Sequence, residues 1–188
     1  MEQTIAEHAG IFTGTDTTNM FDPTSEQPAD WMRFSTTRAV EWRDIDAVID
    51  STCEAVRNEA TLLVAILRAG SPIAALLARK TGLPVDYLLC SRRNPHPRFI
   101  DGTDRAPRGH RILLIDDVSG TGWTFERARM YCEGLGNAVK TFSIYWCEAP
   151  GMFRPDYGLP MAADTYLRWP WEYQREPEMP AGFRLKDV

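Results

Sequence analysis

The densest chemistry in this chain lies in Ile112-Leu113-Leu114-Ile115-Asp116-Asp117-Val118-Ser119-Gly120-Thr121-Gly122-Trp123-Thr124. Four apolar residues read as a buried strand. Two carboxylates follow at its carboxyl end, where open α/β sheets place their ligands. Small and hydroxylated residues then lead into a helix. Consecutive backbone N–H groups at such a helix start cradle a phosphate, and the helix dipole assists. Ser119, Thr121 and Thr124 add hydroxyl donors. Two carboxylates beside an anion cradle repel that anion, so they need a task of their own. Bonding to sugar hydroxyls, or holding a magnesium ion through water, supplies one. A Walker loop is excluded, because no Gly-Lys-Ser/Thr occurs in the chain.

Three further segments carry candidate residues. Ile66-Leu67-Arg68-Ala69-Gly70-Ser71 ends an apolar run and opens a helix, which places Arg68 and the N–H groups of Ala69 and Gly70 where an anion can sit. Residues 91–108 hold five Arg, among them Arg92, Arg93 and Arg98, against two Asp, a balance that favours an anionic ligand. Asp164-Thr165-Tyr166-Leu167-Arg168-Trp169-Pro170-Trp171-Glu172 is rich in aromatic groups. These serve either as core or as a stacking surface.

The elements that must position these residues follow from periodicity. Residues 31–40 read as a strand leading to a turn. Asp44 to Asn58 carries Ile45, Val48, Ile49, Cys53 and Val56, a helical stripe. Thr61 to Leu67 reads as a strand covered on both faces. A helix follows from Ser71-Pro72 to Lys80, with Ser71 suited to the cap, Pro72 to the first turn and Gly82 to the end. Val85 to Leu89 and Arg111 to Ile115 are further strands. The stretch 91–108 between them has no periodic pattern and reads as a long loop. Thr124 to Leu135 is a helix and Ala138 to Trp146 a strand. A loop over 147–163 and a short extended piece over 165–171 complete the series. Strands alternating with helices imply an α/β fold with a parallel sheet and right-handed crossovers. Residues 1–30 are polar and turn-rich and read as an N-terminal arm, flexible or laid over a single domain spanning 31–188.

Composition narrows the class. The chain has 188 residues, 44% hydrophobic and 25% charged, as expected of one soluble globular domain. Its longest strongly apolar stretch, Leu62 to Leu67, is too short to span a bilayer. A net charge of -5 argues against a nucleic-acid partner. Met1-Glu2-Gln3 does not begin a basic region with an apolar core, so no export signal is expected. Cys53, Cys90, Cys132 and Cys147 are scattered, which argues against zinc and for reduced thiols in a cytoplasm.

The Asp-Asp and Thr/Gly segment resembles the phosphoribosylpyrophosphate (PRPP) signature of type I phosphoribosyltransferases. Leu67-Arg68-Ala69-Gly70 looks like that family's pyrophosphate loop, and residues 91–108 stand where it has a mobile catalytic loop. The layout is most similar to bacterial xanthine-guanine and hypoxanthine phosphoribosyltransferases, over about Phe34 to Glu172. The resemblance implies a parallel-sheet type I phosphoribosyltransferase-like fold, with helices on both faces and a small C-terminal or hood region. It implies PRPP, a heterocyclic base and Mg2+ as ligands. Asp116, Asp117 and Arg68 are then catalytic. Arg68, Ala69, Gly70, Asp116, Asp117, Ser119, Gly120, Thr121, Gly122, Trp123 and Thr124 bind PRPP. Asp116 and Asp117 approach the metal through water, and Arg92, Arg93 and Arg98 belong to the mobile loop. Tyr166 stacks on the base and the Leu167 carbonyl reads its edge. A homodimer or homotetramer is expected by the same analogy, with Trp31, Trp42 and the arm as contacts.

Three departures stand against the 6-oxopurine members. They carry Asp where this chain has Gly120, and a glycine transfers no proton. They carry Lys after the fourth strand, where this chain reads Tyr145-Trp146-Cys147-Glu148. Glu148 would offer a base an acceptor in place of a donor. Their mobile loop begins with Ser-Tyr, where this one begins Ser91-Arg92. The expected activity is transfer of 5-phosphoribosyl from PRPP to a ring nitrogen of a purine or purine-like base. Asp117 is the default general base and Glu148 the second candidate. The alternatives are a non-catalytic PRPP- or nucleotide-binding regulator, and a hydrolase or interaction module of the same fold.

Overall fold

The structure, a computed structural model, describes residues 35–92, 94–100 and 106–172. The expected boundary between arm and domain, Trp31 and Arg93 lie outside the described residues. The elements in chain order are β1 (Thr36–Ala39), α1 (Trp42–Glu59), β2 (Leu62–Leu67), α2 (Ser71–Thr81), β3 (Val85–Ser91), β4 (Asn94–Phe99), β5 (Arg111–Ser119), α3 (Trp123–Gly134), β6 (Ala138–Cys147), β7 (Tyr157–Met161) and β8 (Thr165–Arg168).

Six strands form one sheet in the order β4-β3-β2-β5-β6-β7. All its pairs are parallel except β3–β4. The alternation of side chains along β2 divides the core. Leu63 and Ala65 join the α1 and α2 residues Ile45, Val48, Ile49, Ile73 and Leu77, together with Leu113 and Phe142. Leu62, Val64 and Ile66 join Phe125, Ala128 and Cys132 of α3 on the other face. This is the expected mainly parallel sheet with helices on both faces. Each aliphatic side chain fully buried there contributes roughly 1.5–3 kcal/mol.

β1 and β8 form a separate two-stranded parallel sheet, the expected hood. Its β8 end is pinned to the domain by aromatic packing. Trp169 stacks on Trp171 at 4.9 Å and 8°, and Trp171 meets Trp42, the first residue of α1, at 5.7 Å.

Four local expectations need correction. First, the 91–108 stretch is not loop throughout, because β4 lies within it, antiparallel to β3. Pro95 and Pro97 disguise it. They stand two residues apart, so both missing N–H groups fall in one row, and an edge strand leaves one such row facing solvent. Second, β7 lies within the expected 147–163 loop. Its Gly158 has φ +140, and a Cβ there would meet the Ser143 carbonyl at 2.3 Å, so this strand reaches β6 only as glycine. Third, β5 runs on to Ser119, which puts Asp116 and Asp117 inside the strand rather than after it. Fourth, the α2 cap is Gly70, not Ser71, which lies inside the helix.

Candidate active site at the switch point of the sheet

The chain leaves β2 for β3 on one side and returns to β5 on the other. A strand with neighbours reached in opposite directions marks the switch point, where the loops beyond the carboxyl ends part and leave a crevice. The two loops singled out in the sequence are those that follow β2 and β5. What holds them together is Gly70. A Cβ at this position would lie 2.1 Å from the Ile115 carbonyl oxygen. Only a residue without a side chain lets the β2–α2 turn rest on the β5 backbone, one residue before Asp116. Gly70 is thereby held one residue from the two carboxylates, with Arg68 and Ala69 in the same turn. Arg68 is exposed, and the Leu67–Arg68 peptide is cis.

Two helix N-termini open at this crevice. α2 begins after Gly70, with Pro72 in its first turn. α3 begins after Gly122, whose φ of +79 makes the turn from the strand. The first N–H groups of a helix have no intrahelical acceptor. Both ends therefore offer donors and a partial positive charge to an anion. Around the second, Thr121 Oγ1 accepts a bond from Arg92 Nη2 at 3.0 Å. Ser119 does not point its hydroxyl hydrogen into the cradle; its Oγ donates to the Phe153 carbonyl at 3.3 Å. Phe153 also fills the space where a Gly122 side chain would be and stacks on Phe125 at 5.5 Å. The β6–β7 loop thus packs against the turn that opens α3. Sequence reading missed Phe153, because nothing near it in the chain marks it.

The carboxylates sit in a setting that disfavours charge. Asp117 is buried and Asp116 partly so. Asp116 accepts the Asp117 N–H at 3.0 Å, and Asp117 accepts the Val118 N–H at 2.7 Å. Burial pushes Asp116 well above the usual carboxylate range, and the neighbouring Asp117 charge adds to it. Burial also pushes Asp117 up to about 6; the Val118 N–H opposes this and the Glu172 carboxylate reinforces it. Glu172 was not singled out by sequence. It lies beyond β8, where its carboxylate accepts the Trp169 N–H at 3.0 Å. Buried carboxylates beside a third one gain most from a cation or from sugar hydroxyls. Among the described residues no group of three His, Cys, Asp or Glu side chains could hold a metal ion. Magnesium needs no such cage, since it keeps waters and takes one or two carboxylates together with ligand phosphates. Asp116 and Asp117 fit that mode.

The remaining expected residues divide. Arg92 reaches the turn before α3 through Thr121, whereas Arg98 lies in the exposed edge strand β4 opposite Leu89. Trp123 opens α3 under the guanidinium of Arg127, 5.7 Å from its ring, and Thr124 accepts a weak bond from the Cys90 thiol at 3.8 Å. Tyr166 and Leu167 are in β8, in register with Thr37 and Arg38 of β1. Tyr166 is exposed and Leu167 buried in the core. Glu148 is exposed, and its N–H bonds the Met161 carbonyl at 2.8 Å, so the fold spends its backbone on β7 and leaves its carboxylate in solvent. Around Gly120 there is open space.

Fold and site define an α/β protein whose candidate site lies at the switch point of its sheet. The chain belongs to the phosphoribosyl transferase domain family, whose model matches residues 40–141. It is similar in structure to a purine phosphoribosyltransferase from Pyrococcus horikoshii, with TM-score 0.61 and 21% identity over 76% of this chain and 98% of that one. It is similar also to a Neisseria gonorrhoeae protein bound to ppGpp, with TM-score 0.55 and 19% identity over 74% and 91%. A xanthine-guanine-hypoxanthine phosphoribosyltransferase from Helicobacter pylori gives TM-score 0.55 and 13% identity over 72% and 93%. No curated protein sequence matches the chain. Family and fold point to PRPP-dependent phosphoribosyl transfer in general. No helix among the described residues is long and apolar enough to cross a membrane.

Proposed function

We propose that this protein transfers the 5-phosphoribosyl group of PRPP to a ring nitrogen of a purine or purine-like base and releases pyrophosphate. The observation that carries the reading is the contact of Gly70 with the Ile115 backbone, which joins the turn holding Arg68 to the strand holding Asp116. Residues 119–124 hold the 5-phosphate at the start of α3. Arg68 and the N–H groups of Ala69 and Gly70 meet the diphosphate. Asp116 and Asp117 hold the ribose hydroxyls, and their charge favours the cationic, oxocarbenium-like sugar of the transition state. Asp116 and Asp117 would hold magnesium through water, and the ion would supply charge neutralisation to the diphosphate. The C1–oxygen bond to pyrophosphate breaks, and the base nitrogen forms its bond from the opposite face. Asp117, raised toward neutrality, takes the proton the base gives up. Arg92 covers the cradle, and closure there keeps water from the sugar cation. The cytoplasm and a homodimer or homotetramer complete the reading.

A second reading is a PRPP- or nucleotide-binding regulator, and Gly120 is the observation that favours it. This loop position has room for a side chain yet carries no proton-transfer group.

The test is a base screen with PRPP and magnesium across purines, deazapurines and pyrimidines, with nucleotide and pyrophosphate detected by mass. A nucleotide from one base establishes transfer. Free ribose phosphate without nucleotide shows a hydrolase, and PRPP binding without turnover shows the regulator. The double variant Asp116→Asn, Asp117→Asn keeps the fold and loses at least a hundredfold in turnover. Wild-type rates in that variant would end the assignment.

A further inference from the structure

Arg38 takes no part in the site as the sequence describes it. It lies in β1, in register with Leu167 of β8. Its guanidinium carbon stands 4.7 Å from the centre of the Tyr145 ring, and Nη2 donates to the Tyr145 hydroxyl at 2.8 Å. Tyr145 is buried, packs at 6.4 Å against Trp169, and is paired in the sheet with Val118, the residue after Asp117. The guanidinium therefore bridges β1, the hood strand paired with the one that carries Tyr166 and Leu167, to β6, the neighbour of the strand that carries the carboxylates. An arginine has five N–H donors, and the tyrosine hydroxyl takes one. Among the described residues no carboxylate lies within ion-pair distance of Arg38. The side chain itself is exposed.

A guanidinium fixed by a ring and one hydroxyl, with its other donors uncommitted, is a fork set for a planar acceptor. At the same strand end the chain has Cys147 and Glu148, neither of them a cation. Arg154 lies over Trp146 at 5.4 Å and follows Phe153, which supports the phosphate cradle. It belongs to the α3 side. We propose that Arg38 reads the edge of the acceptor base and selects a heterocycle that presents hydrogen-bond acceptors, oxo or carboxylate, over one that presents an amino group. This rests on the reading of the site as one for a phosphoribosyl group and a base. It also replaces Glu148, an acceptor left in solvent, with a donor held at the hood.

Calorimetry with the full chain and magnesium tests it without requiring turnover. The ligands are inosine, xanthosine and adenosine 5-monophosphates, with ribose 5-phosphate as the ligand that lacks a base. The proteins are the wild type, Arg38→Met, which keeps the stem and loses the donors, and Arg38→Lys, which keeps the charge and loses the fork. The expected result is wild-type preference for the oxo-edged nucleotides by about 10–100-fold over adenosine monophosphate, the worth of a hydrogen bond to a charged group. Arg38→Met abolishes the preference, Arg38→Lys restores part of it, and ribose 5-phosphate binds all three within twofold. Three results overturn the proposal: no preference in the wild type, a preference that survives in Arg38→Met, or equal loss for every ligand including ribose 5-phosphate. The last would show that Arg38 only pins the hood. If ribose 5-phosphate does not bind the wild type at all, the underlying reading of the site fails, and this one with it.

Discussion

Asp117 shows how a single residue carries both function and cost. With its carboxyl raised to about 6, the native state binds a proton more readily than the unfolded chain between about pH 4 and pH 6. Stability from this group is present below the unfolded value and is lost as pH rises through 6. Without ligand and with metal chelated, Asp117→Asn should melt close to wild type at pH 3.5. At pH 7.5 it should melt higher, by up to about 3 kcal/mol, because about two pKa units have been removed. Thermal melts at the two pH values check this. A variant that is less stable at pH 7.5 contradicts the burial argument. Gly120 is the complementary case. A side chain there meets nothing within 4 Å. Gly120→Asp should fold within about 0.5 kcal/mol of wild type, as surface substitutions do. If a proton-transfer group is what this loop lacks, kcat/KM with hypoxanthine or guanine should rise at least tenfold in steady-state assays.

At the scale of elements, the decisive contact is that of the β2–α2 turn on β5. Gly70→Ala sets a Cβ against the Ile115 carbonyl at 2.1 Å, and backbone cannot yield as a side-chain tip does. The expected loss is at least about 2 kcal/mol in urea unfolding, with PRPP affinity falling more than tenfold because the loop is displaced. Gly134 at the end of α3 has nothing within 4 Å. Gly134→Ala should gain up to about 1 kcal/mol and leave PRPP affinity unchanged. Opposite signs for two Gly-to-Ala changes separate packing from chain entropy. β4 makes a related point. Its prolines hide a strand from pattern reading and at the same time block pairing along an exposed edge.

At the scale of the whole molecule, the two core layers decide which groups meet solvent. Burial raises the Cys90 thiol to about 11 and the Cys132 thiol to about 12, and it also raises Cys147. Only the thiolate reacts, so alkylation at pH 8 should label Cys53 first, with Cys90 and Cys132 labelled only on unfolding. Peptide mass mapping over time checks the order. Fast labelling of Cys132 would contradict the packing of α3 on the sheet.

Local chemistry made much of this protein legible in advance. Alternating apolar runs and amphipathic stripes specify the parallel sheet and its three helices, because each element must bury a face. The segment from Ile112 to Thr124 announces a phosphate cradle with two acids, because strand, carboxylates and helix start are contiguous in the chain. Partners distant in sequence were not legible. Gly70 meets Ile115, Phe153 supports Gly122, Glu172 acts on Asp117, and Arg38 holds Tyr145. Likewise β4 and β7 run against local propensity, since their prolines and glycines are tolerated only at the sheet edges where the fold puts them. Sequence determines which groups the chain owns and which element each rides on. Only the tertiary structure decides which of them converge, because convergence depends on strand order and backbone approach between segments that no local pattern connects.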